Sequence, residues 1–437
     1  MALETLMGAL QGGKRIQLHP WYCPLPLLSA MSARTLPTPV LAALVCGLCV
    51  AVRMLGWLLF PSLGEALDKS AEFSSPVSSY RSLREALVVA SGTMYDGGVV
   101  HHPPLLIEAL RAVPTAYHRA LFVAMDCLVA VQFLRMTAQI KRRYASISVP
   151  VWLPAVVYAV NPLSIMSCLS QSSVVFAHWA IVNAVSDALG GSIPHTALFV
   201  SLAGYFAVYP ALLLFPLATF LLARRSAAGR VSVLVKLGLF VVLNAAVLLA
   251  ASYKVSGDSW LFLRASYFSL LNFEVVTPNL GLWWYFFAEM FTEFIPFFKA
   301  VYNLFLLSPV VPLAIRFNAQ PLFATVVTMG WILLMKPYPV LGEYGFWFVW
   351  LLYFQPLAGY MRYKVFAMLL YIHGIMLSPI FYHLWIGSGA GNSNFFYAVS
   401  LVNALAVGTI LSDLLWGMLR HEYDGDKPDF DRKLAQI

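Results

Sequence analysis

The chain contains 437 residues, of which 60% are hydrophobic and only 11% are charged, whereas about a quarter of the residues of a soluble domain carry charge. This composition excludes an ordinary water-soluble globular protein. The formal net charge is +8, but the basic residues stand in short groups between apolar runs. They therefore indicate membrane topology and not a nucleic-acid-binding surface.

The two ends of the chain differ from the region between them. Residues 1–36 have a mixed composition with several prolines and predict a flexible N-terminal extension. Residues 37–423 predict a single multi-spanning membrane domain, and residues 424–437 predict a charged cytosolic tail.

The middle region contains many apolar runs long enough to cross a bilayer. A spanning helix needs about 20 mostly apolar residues, and the hydrocarbon offers no water to satisfy backbone polar groups outside a helix or a closed barrel. The alternating pattern of a barrel is absent, so we predict an all-α polytopic membrane protein with about twelve transmembrane helices. The predicted spans lie near residues 38–60, 117–140, 150–168, 172–188, 193–208, 209–223, 232–252, 280–315, 320–335, 344–361, 364–386 and 395–418.

Two of these regions are irregular. The run 280–315 is too long for one straight crossing and predicts a span plus an interfacial or re-entrant piece. The Tyr209-Pro210 pair indicates either a turn between two spans or a kink within one long helix.

The basic groups in the predicted loops set the orientation. With this arrangement of spans they all fall on one side, which the positive-inside rule assigns to the cytosol together with both chain ends. The carboxylate-rich residues 61–103 fall on the opposite side. The basic groups are Lys141, Arg142, Arg143, Arg224, Arg225, Arg230, Arg316, Arg362, Lys364 and Arg420.

Three further segments fall on the non-cytosolic side, at residues 275–291, 336–344 and 385–398. Each combines a polar, turn-forming group with a dense run of aromatic residues. Aromatic rings at headgroup level, beside amides and carboxylates, suit an amphiphile with a sugar head and acyl tails. The alternative is that the rings form the interfacial aromatic belt and the polar residues only close turns.

The same segments carry a resemblance to a known family. The motifs include TPNLGLWWYFFAEMF at 277–291, PLAIR at 312–316, KPYPVLGE at 336–343, HLWI at 383–386, NSNFFYA at 392–398 and Ser412-Asp413. Thinner matches before residue 277 include SPVSSYRS at 75–82, Pro104-Leu105, Asp126, NPLSIMSC at 161–168 and Tyr209-Pro210. Over residues 38–423 the chain resembles the PIG-U family, the multi-spanning U subunit of the GPI transamidase.

The resemblance implies a non-catalytic subunit of an endoplasmic-reticulum membrane complex that joins a GPI lipid to the C-terminus of proproteins. The partners it implies are the other transamidase subunits, including a caspase-like cysteine protease that carries the chemistry, together with the GPI glycolipid and membrane phospholipid. It also implies an architecture similar to polytopic glycosyltransferases that use lipid-linked sugars. No cofactor and no nucleic acid are expected.

The resemblance places the GPI glycan against Asn392 and Asn394, whose amides offer donors and acceptors to sugar hydroxyls. We expect the other GPI-binding residues to lie near the same helix ends. They are Asn279, Trp283, Tyr285, Glu289, Lys336, Glu343 and His383.

Several polar residues within or beside apolar segments allow two interpretations. Glu289 is an ionisable group in an aromatic run, which suggests either function or a paired structural role. The same question applies to Asp126 and Asp413, and we expect at least one of them to be a structural bundle contact. Adjacent His101 and His102 do not share one helix face, so no metal site is predicted. The five cysteines mostly fall inside apolar segments, and we predict neither a disulfide framework nor a metal site from them, and no catalytic cysteine.

Two alternative functions are a polytopic glycosyltransferase and a secondary transporter. A polytopic glycosyltransferase would need a carboxylate in the first lumenal loop as a general base or metal ligand, and the candidates lack the paired acidic motif of such enzymes. A secondary transporter would show repeated halves, which we do not find. For the glycosyltransferase alternative, the candidate carboxylates of the first lumenal loop are Glu65, Asp68, Glu72, Glu85 and Asp96.

Three cytosolic arginines, Arg224, Arg225 and Arg316, suggest contact with anionic lipid headgroups, at about 1 kcal/mol for each basic residue near a charged surface. The alternative is that they only anchor the topology.

Overall fold

The computed structural model describes residues 38–89, 93–144, 147–223 and 225–425. All regular secondary structure within these ranges is helical, which confirms the predicted all-α class for this part of the chain. The predicted N-terminal extension lies outside the described residues, as does all of the predicted tail except residues 424 and 425.

The helices are numbered in chain order. Those that precede the irregular region at residues 256–282 are α1 (Thr38–Leu59), α2 (Leu63–Asp68), α3 (Tyr80–Val88), α4 (Pro104–Arg111), α5 (His118–Arg143), α6 (Leu153–Val160), α7 (Pro162–Leu169), α8 (Val174–Gly190), α9 (Ile193–Ala207), α10 (Leu214–Leu222) and α11 (Ala227–Val255). Those that follow it are α12 (Trp283–Ala288), α13 (Ile295–Leu307), α14 (Val310–Arg316), α15 (Pro321–Met335), α16 (Leu341–Leu351), α17 (Lys364–Tyr382) and α18 (Ser393–Asp424). Shorter turns of 3-10 helix lie at Tyr209–Leu213 and Leu352–Gly359, and π-helical turns lie at Leu263–Phe268 and His383–Gly387.

Six helices of the described chain are long and apolar enough to cross a membrane: Pro39–Leu59, Thr115–Arg143, Gly229–Val255, Ile295–Arg316, Lys364–Gly387 and Ser393–Asp424. The predicted spans at 172–188, 193–208, 209–223 and 320–335 correspond to shorter apolar helices of 10–17 residues. The predicted spans at 150–168 and 344–361 are each broken into two helical pieces. The number of twelve crossings therefore stays a prediction.

The long helices differ in how deeply they lie in the molecule. The most apolar 18-residue stretch of α5 is 61% buried, whereas that of α11 is only 11% buried. Exposed apolar side chains such as Val235, Leu239 and Val242 cover the outer face of α11. Helix α5 is thus central, and α11 presents its apolar surface to whatever surrounds the protein.

The chain reverses direction at Val208, so Tyr209-Pro210 marks a turn between two helices and not a kink. Val208 has a φ of +56°, and a Cβ atom on Gly204 would lie 2.8 Å from the Cβ atom of Ala211. Only glycine permits this close approach of α9 to the turn. Ile193, at the start of α9, lines the same cavity as Leu221, at the end of α10, as expected for antiparallel neighbours.

A buried ion pair joins α1 to α5 within the apolar interior. The Arg53 Nε atom donates to Asp126 Oδ2 at 2.6 Å, and the Tyr158 hydroxyl donates to Asp126 Oδ1 at 2.6 Å. Arg53 also donates to the Ala159 carbonyl at 2.9 Å. These contacts confirm the expectation that Asp126 or Asp413 is a structural bundle contact. Asp413 also has a structural partner, since it accepts from the Tyr363 backbone N–H at 2.6 Å.

Most of the predicted cytosolic basic groups lie at one end of the bundle, which we call the basic end. Arg143 donates to the Leu189 carbonyl at 3.3 Å, and Arg316 pairs with Glu422 at 2.6 Å. One apolar groove, lined in part by Tyr144 and Met418, connects these two regions. Helix ends far apart in sequence therefore share one face of the molecule.

Candidate functional site

The three segments predicted to face away from the cytosol meet at the other end of the bundle. The Tyr338 hydroxyl donates to the Val275 carbonyl at 2.7 Å, and the Ser400 hydroxyl donates to the Asn279 carbonyl at 3.2 Å. The Tyr285 hydroxyl donates to the Asn394 side-chain oxygen. Segment 275–291 therefore connects segment 336–344 to segment 385–398.

Asn392 and Asn394 are exposed on this end, beside Tyr285. Asn392 is the N-cap of α18, and its side-chain oxygen accepts the Asn394 backbone N–H at 3.1 Å. Asn394 uses its side-chain oxygen to accept from Tyr285. The two side-chain NH2 groups make no hydrogen bond to the described part of the chain, so each amide keeps donors for a ligand. We call Asn392, Asn394 and Tyr285 the asparagine edge.

An aromatic cluster holds the asparagine edge in place. Tyr285 stacks on Tyr397 with ring centroids 4.5 Å apart and planes 22° apart. The ring centroid of Trp284 lies within 6 Å of the ring centroids of both Trp385 and Phe396. Phe396 is fully buried. Packed rings lose little further side-chain entropy when a ligand binds, so the edge is pre-organised.

Asn279 and Trp283, two of the predicted GPI-binding residues, lie inside the scaffold below the edge. The Asn279 side chain closes a turn by accepting the Gly281 N–H at 2.6 Å and donating to the Thr277 carbonyl at 3.0 Å. Trp283 is fully buried and donates to the Met335 carbonyl at 2.7 Å. Both residues shape the site, and neither exposes its side chain to a ligand.

Glu289 and His383 lie on exposed helix ends. Glu289 immediately follows α12 and takes part in none of the ion pairs between described residues. His383 begins the π-helical turn that leads into the glycine-rich segment 387–391. A Cβ atom on Gly387 would come within 2.6 Å of the His383 ring. Glycine there lets the chain fold tightly against the histidine.

Lys336 and Glu343 form an ion pair with each other, and each side chain is only about one-tenth exposed. Glu343 also accepts the Val340 N–H at 3.3 Å at the start of α16. The pair lines a cavity with about 570 Å³ of empty volume, part of it in an open mouth. We call this cavity the lysine–glutamate cleft, and it is lined by Ser75, Val77, Ser78, His101, Pro103, Ser173, Val174, Ala177, Tyr205, Phe206, Ala207, Val208, Tyr209, Ser266, Tyr267, Leu270, Lys336, Tyr338 and Glu343.

The structure thus divides most of the predicted GPI-binding residues between an exposed edge, a buried scaffold and an enclosed cleft, while Glu289 and His383 lie on exposed helix ends outside these three groups. The cleft also contains His101, Tyr205, Tyr209 and Tyr267, four residues for which the sequence predicts no site. Tyr209 lies in one of the motifs that resemble the U subunit, which was the available signal.

The adjacent histidines differ in their hydrogen bonding: His101 has a backbone partner, whereas the buried His102 ring has none among the described residues. The His101 Nδ1 atom lies 2.6 Å from the Ala265 carbonyl, which fixes the proton on that nitrogen. Burial lowers the pKa of His102 to about 3, with a further contribution from neighbouring His101, so that ring stays neutral. Within the described ranges no three His, Cys, Asp or Glu residues form a group that could hold a metal ion.

Cys46 and Cys49 are separated by two residues, a spacing found in metal and redox sites. Both lie in α1, and the side-chain thiol of Cys127 donates to the Cys46 carbonyl at 3.8 Å. All three thiols are free.

The carboxylates of the first loop do not gather at either site. Asp68 accepts the Tyr80 and Arg81 backbone N–H groups at 2.9 and 2.8 Å, and Glu72 accepts from Ser378 at 2.5 Å. Glu65 pairs with neighbouring Lys69 on the surface. Glu85 and Asp96 are also exposed. This arrangement gives no pair of carboxylates facing one reacting centre.

The predicted lipid-binding arginines are not equivalent. Arg224 lies outside the described residues, Arg225 is exposed and lines a cavity between α8, α9 and α11, and Arg316 is paired with Glu422.

Six long apolar helices, broad exposed apolar faces and polar groups gathered at the two ends define an all-helical membrane protein. The family model for GPI transamidase subunit PIG-U matches residues 47–403, and the chain belongs to this family.

Curated relatives agree with the family model. The chain is 46% identical to the GPI transamidase component GAB1 of Saccharomyces cerevisiae over 394 residues, covering 89% of the chain and 97% of that relative. It is 29% identical to the human GPI-anchor transamidase component PIGU over 419 residues, covering 87% and 95%. It is 28% identical to the GAB1 homolog of Schizosaccharomyces pombe over 399 residues, covering 88% and 96%.

Proposed function

We propose that the protein is a non-catalytic subunit of the GPI transamidase complex of the endoplasmic-reticulum membrane, where it binds the GPI lipid and presents it for attachment to proproteins. The names of its relatives support membership in the complex. The protease chemistry belongs to a caspase-like partner subunit under this proposal, and this chain supplies recognition.

The observation that carries the recognition role is the asparagine edge. Two exposed amides with unused donors stand on a rigid aromatic support, where segment 275–291 meets segment 385–398, and both segments carry motifs that resemble the family. Amides of this kind match the hydroxyl groups of a mannose core, at about 1 kcal/mol of net free energy for each hydrogen bond.

The test is an Asn392→Ala/Asn394→Ala variant in cells that lack the native subunit. We expect surface display of a GPI-anchored reporter to fall by about an order of magnitude at limiting GPI supply, since about 1.4 kcal/mol corresponds to a tenfold change. Assembly of the complex, measured by co-purification, should remain normal. Normal reporter display at limiting GPI would refute the glycan role.

A second variant separates recognition from turn formation. Asn392→Ser/Asn394→Asp retains the N-cap acceptor and the acceptor for Tyr285 while removing both amide NH2 groups. If the asparagines bind the glycan, this variant should also lose reporter display. Retained reporter display would show that both asparagines only form the turn and do not bind the glycan. Asn318→Ala, at the basic end, is the matched control and should leave both measurements unchanged.

The proposed topology has about twelve crossings, with residues 61–103, 336–343 and 387–394 in the lumen and both termini in the cytosol. The gathering of basic groups at one end and polar loops at the other supports it. A glycosylation acceptor introduced at 387–391 should be modified, and one near Arg225 should not. The opposite pattern would invert the topology and remove the glycan site.

The architecture under this proposal is similar to that of polytopic lipid-linked-sugar glycosyltransferases, but we do not propose transferase activity. The first-loop carboxylates serve as caps and hydrogen-bond partners or lie apart on the surface.

A further inference from the structure

The lysine–glutamate cleft has the charge distribution of a binding site for a zwitterion. Its charged pair, Lys336 and Glu343, joins one ammonium to one carboxylate in a largely enclosed space. A ligand with a single charge would engage one member of the pair and leave the other buried without a counter-charge, which is unfavourable. A ligand with both charges can pair with Lys336 and Glu343 at once.

A buried hydroxyl in the cleft still lacks a hydrogen-bond partner. Tyr209 is 5% exposed, and its hydroxyl contacts no donor or acceptor in the part of the chain that the structure describes. Buried polar groups are nearly always satisfied by protein, water or ligand. Tyr209 lines both the cleft and a second cavity, and Lys336 and Glu343 also line both.

The other hydroxyls of the cleft are mostly engaged already. Tyr267 donates to the Tyr205 carbonyl at 3.0 Å, Ser266 donates to the His102 carbonyl at 3.0 Å, and Tyr338 donates to the Val275 carbonyl at 2.7 Å. A neutral sugar would therefore find few unused donors here, which makes the cleft chemically different from the asparagine edge.

We propose that the cleft binds a phosphoethanolamine group, with the phosphate on Lys336 and the Tyr209 hydroxyl and the ammonium on Glu343. This chemistry occurs both in phosphatidylethanolamine and in the ethanolamine phosphates of a GPI glycan. The inference does not rest on the asparagine edge, because it uses other residues and another ligand group.

The first measurement is saturation-transfer NMR on the purified full-length chain in detergent with four soluble probes: O-phosphoethanolamine, inorganic phosphate, ethanolamine and methyl α-mannoside. We expect O-phosphoethanolamine to bind at least about tenfold more tightly than phosphate or ethanolamine alone, since only it engages both charges. Equal binding of phosphate alone, or stronger binding of the mannoside, would overturn the proposal.

The decisive variant is Tyr209→Phe, which removes the unpartnered hydroxyl and keeps the ring. It should weaken O-phosphoethanolamine binding about fivefold, the effect of one net hydrogen bond, while the unfolding temperature stays near that of the parent protein. Unchanged affinity in the folded variant would contradict the assignment. Asn392→Ser/Asn394→Asp should bind the probe normally, so a failure here and a failure of the glycan role are distinguishable.

Competition distinguishes the two sources of the group. Displacement of O-phosphoethanolamine is measured with the chain in nanodiscs of phosphatidylcholine that also contain either phosphatidylethanolamine or phosphatidylserine. In a separate arm, a GPI glycan with ethanolamine phosphate is added as the competitor. Displacement by phosphatidylethanolamine alone assigns the cleft to a phospholipid, whereas displacement only by a GPI glycan with ethanolamine phosphate assigns it to the substrate. If neither displaces the probe, the proposal is wrong.

Discussion

The asparagine edge and the Arg53–Asp126 pair both place strongly polar groups beside aromatic and apolar surroundings, but they use them differently. The side chains of Arg53 and Asp126 are 0% and 4% exposed, and the pair is held by Tyr158 and the Ala159 carbonyl. Asn392 and Asn394 are exposed, and their side-chain oxygens are engaged while their NH2 groups are not. The buried pair is thus shielded from any ligand, whereas the exposed asparagine NH2 groups are available to one.

The largest expected effect comes from breaking the buried pair. Asp126→Leu leaves the Arg53 charge without its partner and should destabilise the protein by about 3–5 kcal/mol. Thermal unfolding followed by size-exclusion fluorescence should show a large loss of folded protein.

The matched double variant Arg53→Met/Asp126→Leu removes both charges and should recover most of that loss, because no uncompensated ion remains. If Asp126→Leu alone were as stable as the parent protein, the pair would not be structural and the comparison would fail.

A smaller effect is expected from Tyr285→Phe, which removes the bond to Asn394 but keeps the ring stacked on Tyr397. Loss of one net hydrogen bond, about 0.5–1.5 kcal/mol, should loosen the edge and reduce reporter display several-fold at limiting GPI. The control is Tyr353→Phe, which removes a buried hydrogen bond to Thr137 away from the edge. Equal losses in the two variants would indicate a general stability effect.

The smallest effect concerns the basic end. Arg225→Ala should reduce retention of anionic lipid in native mass spectrometry, because one basic residue near a charged surface contributes about 1 kcal/mol to lipid binding. Arg316→Ala should have less effect because Glu422 already pairs with that guanidinium. Unchanged retention in Arg225→Ala would leave these arginines as topology determinants only.

The sequence predicted the all-α class and the three segments that meet at one end, because hydropathy and charge distribution are properties of the chain itself. It also contained signals for the broken span at 150–168. Asn161 caps α7 by accepting the Leu163 N–H at 3.0 Å, and Pro162 occupies the first helical position. Proline and asparagine at that spacing end one helix and begin another.

The sequence could not separate the predicted site residues into edge, scaffold and cleft. Asn279 and Asn392 are both asparagines in turns, but one is buried and the other exposed. This difference arises from which helices pack above each turn, a long-range property that residue type does not encode. The pairing of Lys336 with Glu343 across a turn was hidden for the same reason.

The central claim is that the asparagine edge binds the GPI glycan, and the most direct test is the GPI dependence of the reconstituted transamidase complex. With Asn392→Ser/Asn394→Asp in this subunit, the KM for GPI should rise by about tenfold while kcat stays unchanged, as expected when ground-state and transition-state binding are lost equally. An unchanged KM for GPI in the assembled complex would contradict the account.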